Sequence, residues 1–209
     1  MGFAHLLPIL AAFAGHAPAG TEPAFRGLPE AAHCIAERNR HVAADLARAV
    51  PASAEERRAW TALERSVQIC PGAGALLTHA NRPLFAGALA QALYLRSITS
   101  WRSKPRDDAL PPPALAQVTG EQTADWPAEA AFAECLAALA PNQVDLLLRQ
   151  PAGDDAENAA FAALQPSFSL CLPDEAQLSL GRVRLRAELA RAMFRMVSLI
   201  ARPLLPGTR

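Results

Sequence analysis

Four cysteines, Cys34, Cys70, Cys135 and Cys171, are the residues whose type and spacing most plainly promise chemistry in this chain. Cys34 and Cys70 enclose 35 residues, Cys135 and Cys171 enclose 35 more, and the second pair lies 101 positions after the first. The later member of each pair closes a similar phrase, Ser-Val-Gln-Ile-Cys at 66–70 and Ser-Phe-Ser-Leu-Cys at 167–171. Zinc and thioredoxin-like sites draw on close pairs such as Cys-x-x-Cys, and the chain has none. Structural disulfides are therefore expected, with buried free thiols as the alternative. Four cysteines permit three connectivities. Two antiparallel helices joined by a tight turn bring residues equidistant from that turn side by side. The midpoint of Cys34 and Cys70 falls in Pro51-Ala52-Ser53, and that of Cys135 and Cys171 in Pro151-Ala152-Gly153. This selects Cys34–Cys70 and Cys135–Cys171, each tying the open end of a helical hairpin. Closing such a loop stabilises by roughly 3–4 kcal/mol on the chain-entropy model.

Other candidates for chemistry are weaker. His33, Glu37, His41 and Asp45 recur every four residues, a spacing at which neighbours on one helix face can chelate a divalent metal. The positions 101 residues on are Glu134, Ala138, Asn142 and Leu146, so the stripe reads as a solvated polar face and no metal site is assigned. No Gly-x-Ser-x-Gly or His-Glu-x-x-His occurs. Pro71-Gly-Ala-Gly74 lacks a preceding strand and a following Lys-Ser/Thr, and reads as a helix stop rather than a phosphate cradle. No catalytic residue and no cofactor is assigned.

The elements that must position the cysteines are helical. Alanine is abundant and aromatics make up only 6% of the chain, a balance that favours helices over strands. Ile35, Val42, Leu46 and Val50 recur at helical spacing before Pro51. Ser53 with Glu56 makes a capping box that opens a second helix carrying Trp60, Leu63, Val67 and Ile69. A third helix is expected from Pro83 to about Ile98. The counterparts are Phe132–Gln150, Asp154 or Asp155 to Cys171, and Val183–Ile200, with short extended pieces at 76–78 and 177–180. Pro141 falls inside the first of these, so that helix is expected to break there, with Asn39 and Pro141 starting fresh segments.

Matches at the 101-residue offset include Leu46 with Leu147, Glu56 with Glu157, Trp60 with Phe161 and Leu63 with Leu164. After a slip of one, Leu89–Tyr94 aligns with Leu189–Phe194. These indicate an internal duplication. The expected fold is all-α: two duplicated three-helix units, each a disulfide-closed αα-hairpin plus a third helix. The boundaries are a signal peptide at 1–19, unit one at 20–98, a Pro-rich linker at 99–128 and unit two at 129–209. Trp101 and Trp126, near the linker ends, are expected to pin it to the units.

Net charge is zero, so no global field steers the chain to nucleic acid, and no nucleic-acid partner is expected. The charge is unevenly placed. Residues 1–106 carry net +5, 107–175 net −11 and 176–209 net +6. The last helix sets Leu185, Leu189, Met193, Met196 and Ile200 on one face, with Arg184, Arg191 and Arg195 elsewhere. Such a helix can lie on an anionic membrane. Pairing with the nearby acidic block ranks above membrane contact, and blocks of opposite sign also support self-association.

A Cys within a helix, a Pro or Ser turn, a second Cys followed by Pro or Gly, and then Ala-Gly-Ala-Leu-Ala-Gln-Ala-Leu-Tyr (86–94) resemble uncharacterised exported proteins of alphaproteobacteria, particularly the sphingomonads. The resemblance spans most of 28–98 and, less well, 129–200. It implies an exported, duplicated helical protein and brings no known activity with it. The expected role is non-enzymatic binding of an unknown protein or small ligand in the periplasm or outside the cell. The alternatives are an enzyme with a site formed between the units, and a peripheral envelope protein using the basic C-terminal helix. Material from the native host is expected to show an intact mass lacking the leader. It should take up no alkylating agent before reduction and four equivalents after it.

Overall fold

The computed structural model of the chain describes residues 27–70, 72–102, 126–172 and 178–201; the expected leader at 1–19 and most of the linker at 99–128 lie outside them. Helix α1, Leu28–Arg38, starts with Pro29 in its first turn, where a missing amide hydrogen costs nothing, and Glu30 beside it favours the positive helix end. Leu28, Ala31, Ala32, Ile35 and Ala36 make its buried stripe. The helix stops at Asn39, whose backbone (φ −138°, ψ 55°) leaves the helical region, and α2, Arg40–Arg48, restarts in a new direction. The same break recurs in the second half. There α6, Ala128–Leu139, stops at Ala140 (φ −133°, ψ 52°), and α7, Pro141–Arg149, departs at 107°. Pro141 sits at the first position of α7, where it breaks no helical hydrogen bond. The first arm of each hairpin is thus two helices, as Pro141 led one to expect.

A turn with a left-handed residue follows each break, Ala52 (φ 65°) in one half and Gly153 (φ 87°) in the other. Ser53 then caps α3, Ala54–Ser66, its hydroxyl accepting from the Glu56 amide at 3.1 Å. Asp154 caps α8, Asp155–Leu164, accepting from the Glu157 amide at 2.7 Å. Glu56 and Glu157 reach back to accept from the amides of Ala52 and Gly153, at 2.7 and 2.6 Å. The capping box is present, reaching one residue further back than the usual N-cap amide.

The second arms end in 3₁₀ turns at 67–69 and 165–167, and the latter leads into a one-turn helix α9, Phe168–Cys171. Cys34 of α1 is bonded to Cys70, and Cys135 of α6 to Cys171, with Cα separations of 5.9 and 5.6 Å. Both pairings follow the midpoint geometry. A short helix α4, Ala73–Leu76, restarts the chain after the left-handed Gly72. No strand occurs among the described residues; of the pieces expected to be extended, Leu76 closes α4, and 77–78 and 178–180 are irregular coil.

The third helices are α5, Arg82–Arg102, and α10, Arg182–Ala201. The former runs four residues beyond Ile98, into the segment expected as linker. Each opens on an arginine laid over an aromatic ring of its own second arm, Arg82 over Trp60 at 5.3 Å and Arg182 over Phe161 at 5.8 Å. Helix α5 packs on α1 and α2, α10 packs on α6 and α7, and α5 and α10 pack most extensively on each other. Their approach is set by Gly87, where a Cβ would fall 2.3 Å from the Ala187 Cβ. The buried side chains of both halves form one continuous core.

Alanine in the left-handed region carries a steric cost that glycine escapes. Ala52→Gly is expected to raise the stability of the oxidised protein by about 1 kcal/mol, and Gly153→Ala to lower it by about the same amount, as read by chemical denaturation.

Candidate functional site

Helix α10 is buried on every side from Leu185 to Val197. A helix enclosed in this way is ordinarily apolar all round. This one buries Arg186, Glu188, Arg191 and Arg195. Withdrawing a guanidinium from water is costly unless its donors find acceptors, so the partners of these side chains define the most specific polar constellation in the molecule.

Arg186 donates to the Glu157 carboxylate at 2.6 Å and to the carbonyls of Gln150 and Leu148 at 2.7 and 3.3 Å. Its Nε meets Gln91 Oε1 at 3.3 Å, while Gln91 Nε2 donates to the Leu148 carbonyl at 2.7 Å. Leu148 lies in the last turn of α7, whose carbonyls have no helical donor of their own. Arg191, 1% exposed, crosses to the first half and donates to the Ala49 carbonyl at 2.9 Å and to Glu56 at 2.8 Å. Glu56 and Glu157 therefore each divide their oxygens, one on a turn amide and the other on a guanidinium from α10.

Arg195 meets Glu134 at 2.5 Å and lies 5.1 Å from the centre of the Trp126 ring. Burial holds the Arg195 pKa below its ordinary value, the nearby Glu134 charge opposes that effect, and Arg191 adds to it. Glu188, Arg191 and Arg195 follow one another at i, i+3 and i+7, on one face of α10. Glu188 pairs with Arg184 at 3.0 Å. Its oxygens, Arg191 Nε and the Arg195 Nη atoms lie out of solvent without a well-aligned hydrogen bond, so attraction between whole charges holds this stretch. On the α5 side, Tyr94 donates to Asp145 at 2.8 Å, and Arg149 contacts both Asp145 oxygens at 3.0 and 2.9 Å. The Asp145 hydrogen bond holds the Arg149 pKa above its ordinary value.

The chemistry of this seam is positional. Its carboxylates are committed to arginines and turn amides, and it fixes both hairpin turns against the central helices. The arginines expected on α10 are indeed paired within the chain, Arg195 with the acidic second half and Arg191 with the first.

The remaining candidates are dispersed. His33 lies 3.5 Å from Glu37 on α1, and Glu37 also approaches Arg96 at 3.6 Å. The break at Asn39 carries His41 and Asp45 onto α2, where Asp45 pairs with Arg48 at 2.7 Å. Among the described residues no group of three or more His, Cys, Asp or Glu side chains could hold a metal ion. Trp126 is pinned by Arg195, and the Trp101 side chain lies outside the described residues. Arg186 and Asp145 are not singled out by the sequence, and Glu134 and Gln91 enter it only as counterparts at the offset, with no role. The available clue was the register that sets Gln91 on Arg191, two polar residues within otherwise apolar helix stretches.

No single described helix is long and apolar enough to cross a membrane; α6 and α7 reach that composition only together, across their bend. The chain matches no protein-family model, and neither a curated protein nor a solved structure is significantly similar to it.

Arg191→Met strands the Glu56 charge and is expected to cost about 3–5 kcal/mol in denaturant unfolding, whereas Arg58→Met at the exposed Glu55 pair should leave the unfolding midpoint essentially where it is. Adding Glu56→Gln to Arg191→Met should recover part of the loss, giving a non-additive double-mutant cycle.

Proposed function

We propose that this chain is an exported, internally duplicated helical protein that binds a protein partner without catalysing a reaction. Export is supported by the thiols, since all four are taken up in two intramolecular disulfides, a state that belongs to an oxidising compartment. The periplasm or the extracellular space is the setting that also suits the expected leader and the resemblance to exported alphaproteobacterial proteins. Duplication is supported by features that recur at one offset: the breaks at Asn39 and Ala140, the left-handed Ala52 and Gly153, and the two disulfides.

The observation that carries the binding role is a difference between corresponding surfaces. On α1 the outward residues are Glu30, His33, Glu37 and Arg38, all exposed. On α6 the corresponding side is apolar: Ala131, Cys135 and Ala138 are half-buried, and Leu139 is 53% exposed. Across the Cys135–Cys171 bond stands Leu170, 72% exposed; its counterpart Ile69 beside Cys70 is 50% exposed, so what sets the second half apart is the apolar side of α6 that Leu170 extends. Large apolar side chains left in water beside a rigid cross-link form the kind of surface that partners bury. The seam offers no comparable opening, because its charged groups are engaged with one another.

Leu139→Glu with Leu170→Glu is expected to leave the thermal midpoint within a few degrees of the parent, because both side chains are already exposed. Binding to the partner recovered by cross-linking in the native host's envelope should weaken by about tenfold or more. Undiminished binding by the double variant would remove the apolar face from the proposal.

A further inference from the structure

The contact between the halves is built so that a second copy of the chain could supply either side of it. Gly87 and Ala187, which occupy equivalent positions in the Leu89–Tyr94 and Leu189–Phe194 register, meet each other at the α5–α10 crossing. That is how residues on a two-fold axis behave in an isologous interface. Around that point the halves reach across reciprocally. Gln91 of the first half holds the Leu148 carbonyl of the second, and Arg191, its counterpart in the register, holds the Ala49 carbonyl of the first. Neither disulfide crosses this contact, because Cys34–Cys70 lies within one half and Cys135–Cys171 within the other. The halves are therefore two separately cross-linked bodies, joined covalently by the main chain alone.

Charge is nearly balanced within each unit: residues 20–98 hold 9 basic and 7 acidic side chains, net +2, and residues 129–209 hold 8 basic and 9 acidic, net −1. Long-range repulsion between two copies is therefore weak, and the α5–α10 contact can form between chains as it does within one. We propose that this chain forms a dimer by exchanging halves with a second copy, α5 of each chain packing on α10 of the other. Such a dimer repeats every inter-half contact of the monomer twice, so the balance between the two forms is set by chain concentration. The inference rests on the α5–α10 contact and not on the apolar face of α6, so either proposal can fail without the other.

The oxidised full-length chain, held at high concentration in mild urea without thiols and then returned to buffer, should yield a dimer by light scattering. Lys104 is the only lysine in the chain and lies between the halves, so a protease that cuts on the amino side of lysine opens one bond there. After that cut the exchanged dimer should fall to half its mass, each product being a first half of one chain bound to a second half of the other. A dimer that keeps its mass after the cut, or the absence of any dimer, overturns the proposal. A second readout holds even if the nicked halves separate. Equal amounts of ¹⁴N and ¹⁵N chains are taken through the same treatment, and the uncut dimer is cross-linked through carboxylates. Half of the links between first and second halves should then join a light chain to a heavy one. Inter-half links confined to single chains overturn the exchange.

Discussion

The fold depends on one constraint: α10 buries four charges, and while Glu188 is answered by Arg184 of the same helix, Arg186, Arg191 and Arg195 must be answered by groups that other elements bring to them. Arg186 and Arg191 are answered in the same way. A glutamate at the start of a second hairpin arm gives one oxygen to a guanidinium and the other to the amide of a left-handed turn residue. The turn can hold its shape only while the glutamate is oriented, and the arginine can remain buried only while the turn holds. Turn geometry and helix burial thus become a single condition. A seam of this kind is weak evidence for extra stability, because desolvation offsets much of the attraction. Its consequence is register, since sliding α10 along α5 would leave several charges without partners.

Covalent and non-covalent restraints divide the work along each hairpin. The disulfide closes the end where the chain enters and leaves, joining α1 to the segment after α3, and α6 to α9. The turn end of the first hairpin is held from the other half, by Arg191. The turn of the second is held from both sides, by Arg186 of its own half and by Gln91 of the first. Gly87 lets α5 and α10 approach closely enough for these reaches to be made. The absent side chain is therefore as much a part of the seam as the arginines are.

The halves both carry a helix break, a left-handed turn residue and a disulfide, and they differ in what they show to solvent. The outward side of α1 is charged, and the outward side of α6 is alanine and leucine around a disulfide. His33 is exposed on α1, whereas Glu134, 101 residues further on, is buried and paired with Arg195. The more apolar second half is also the half whose first helix carries this inward-facing acid.

Much of the architecture could be read directly from residues. Equal cysteine spacing about a Pro-containing turn fixed both disulfides, because a hairpin places equidistant residues together. Ser53 with Glu56 announced a helix start, because a side-chain oxygen must satisfy the first free amides. Pro141 announced a break, because it has no amide hydrogen to give. The matching break at Asn39 was legible only through the offset, since nothing in its own residue type forbids a helix. What the sequence could not show was where α10 would lie. Its apolar stripe and its arginines described an amphipathic helix with one wet face, and only packing against α5 and the turns of both hairpins turned that face inward. Burial of a charge is decided by partners 29 to 142 positions away, such as Glu157 for Arg186 and the Ala49 carbonyl for Arg191. Local periodicity carries no record of contacts at that range, and so the tertiary structure alone decided them.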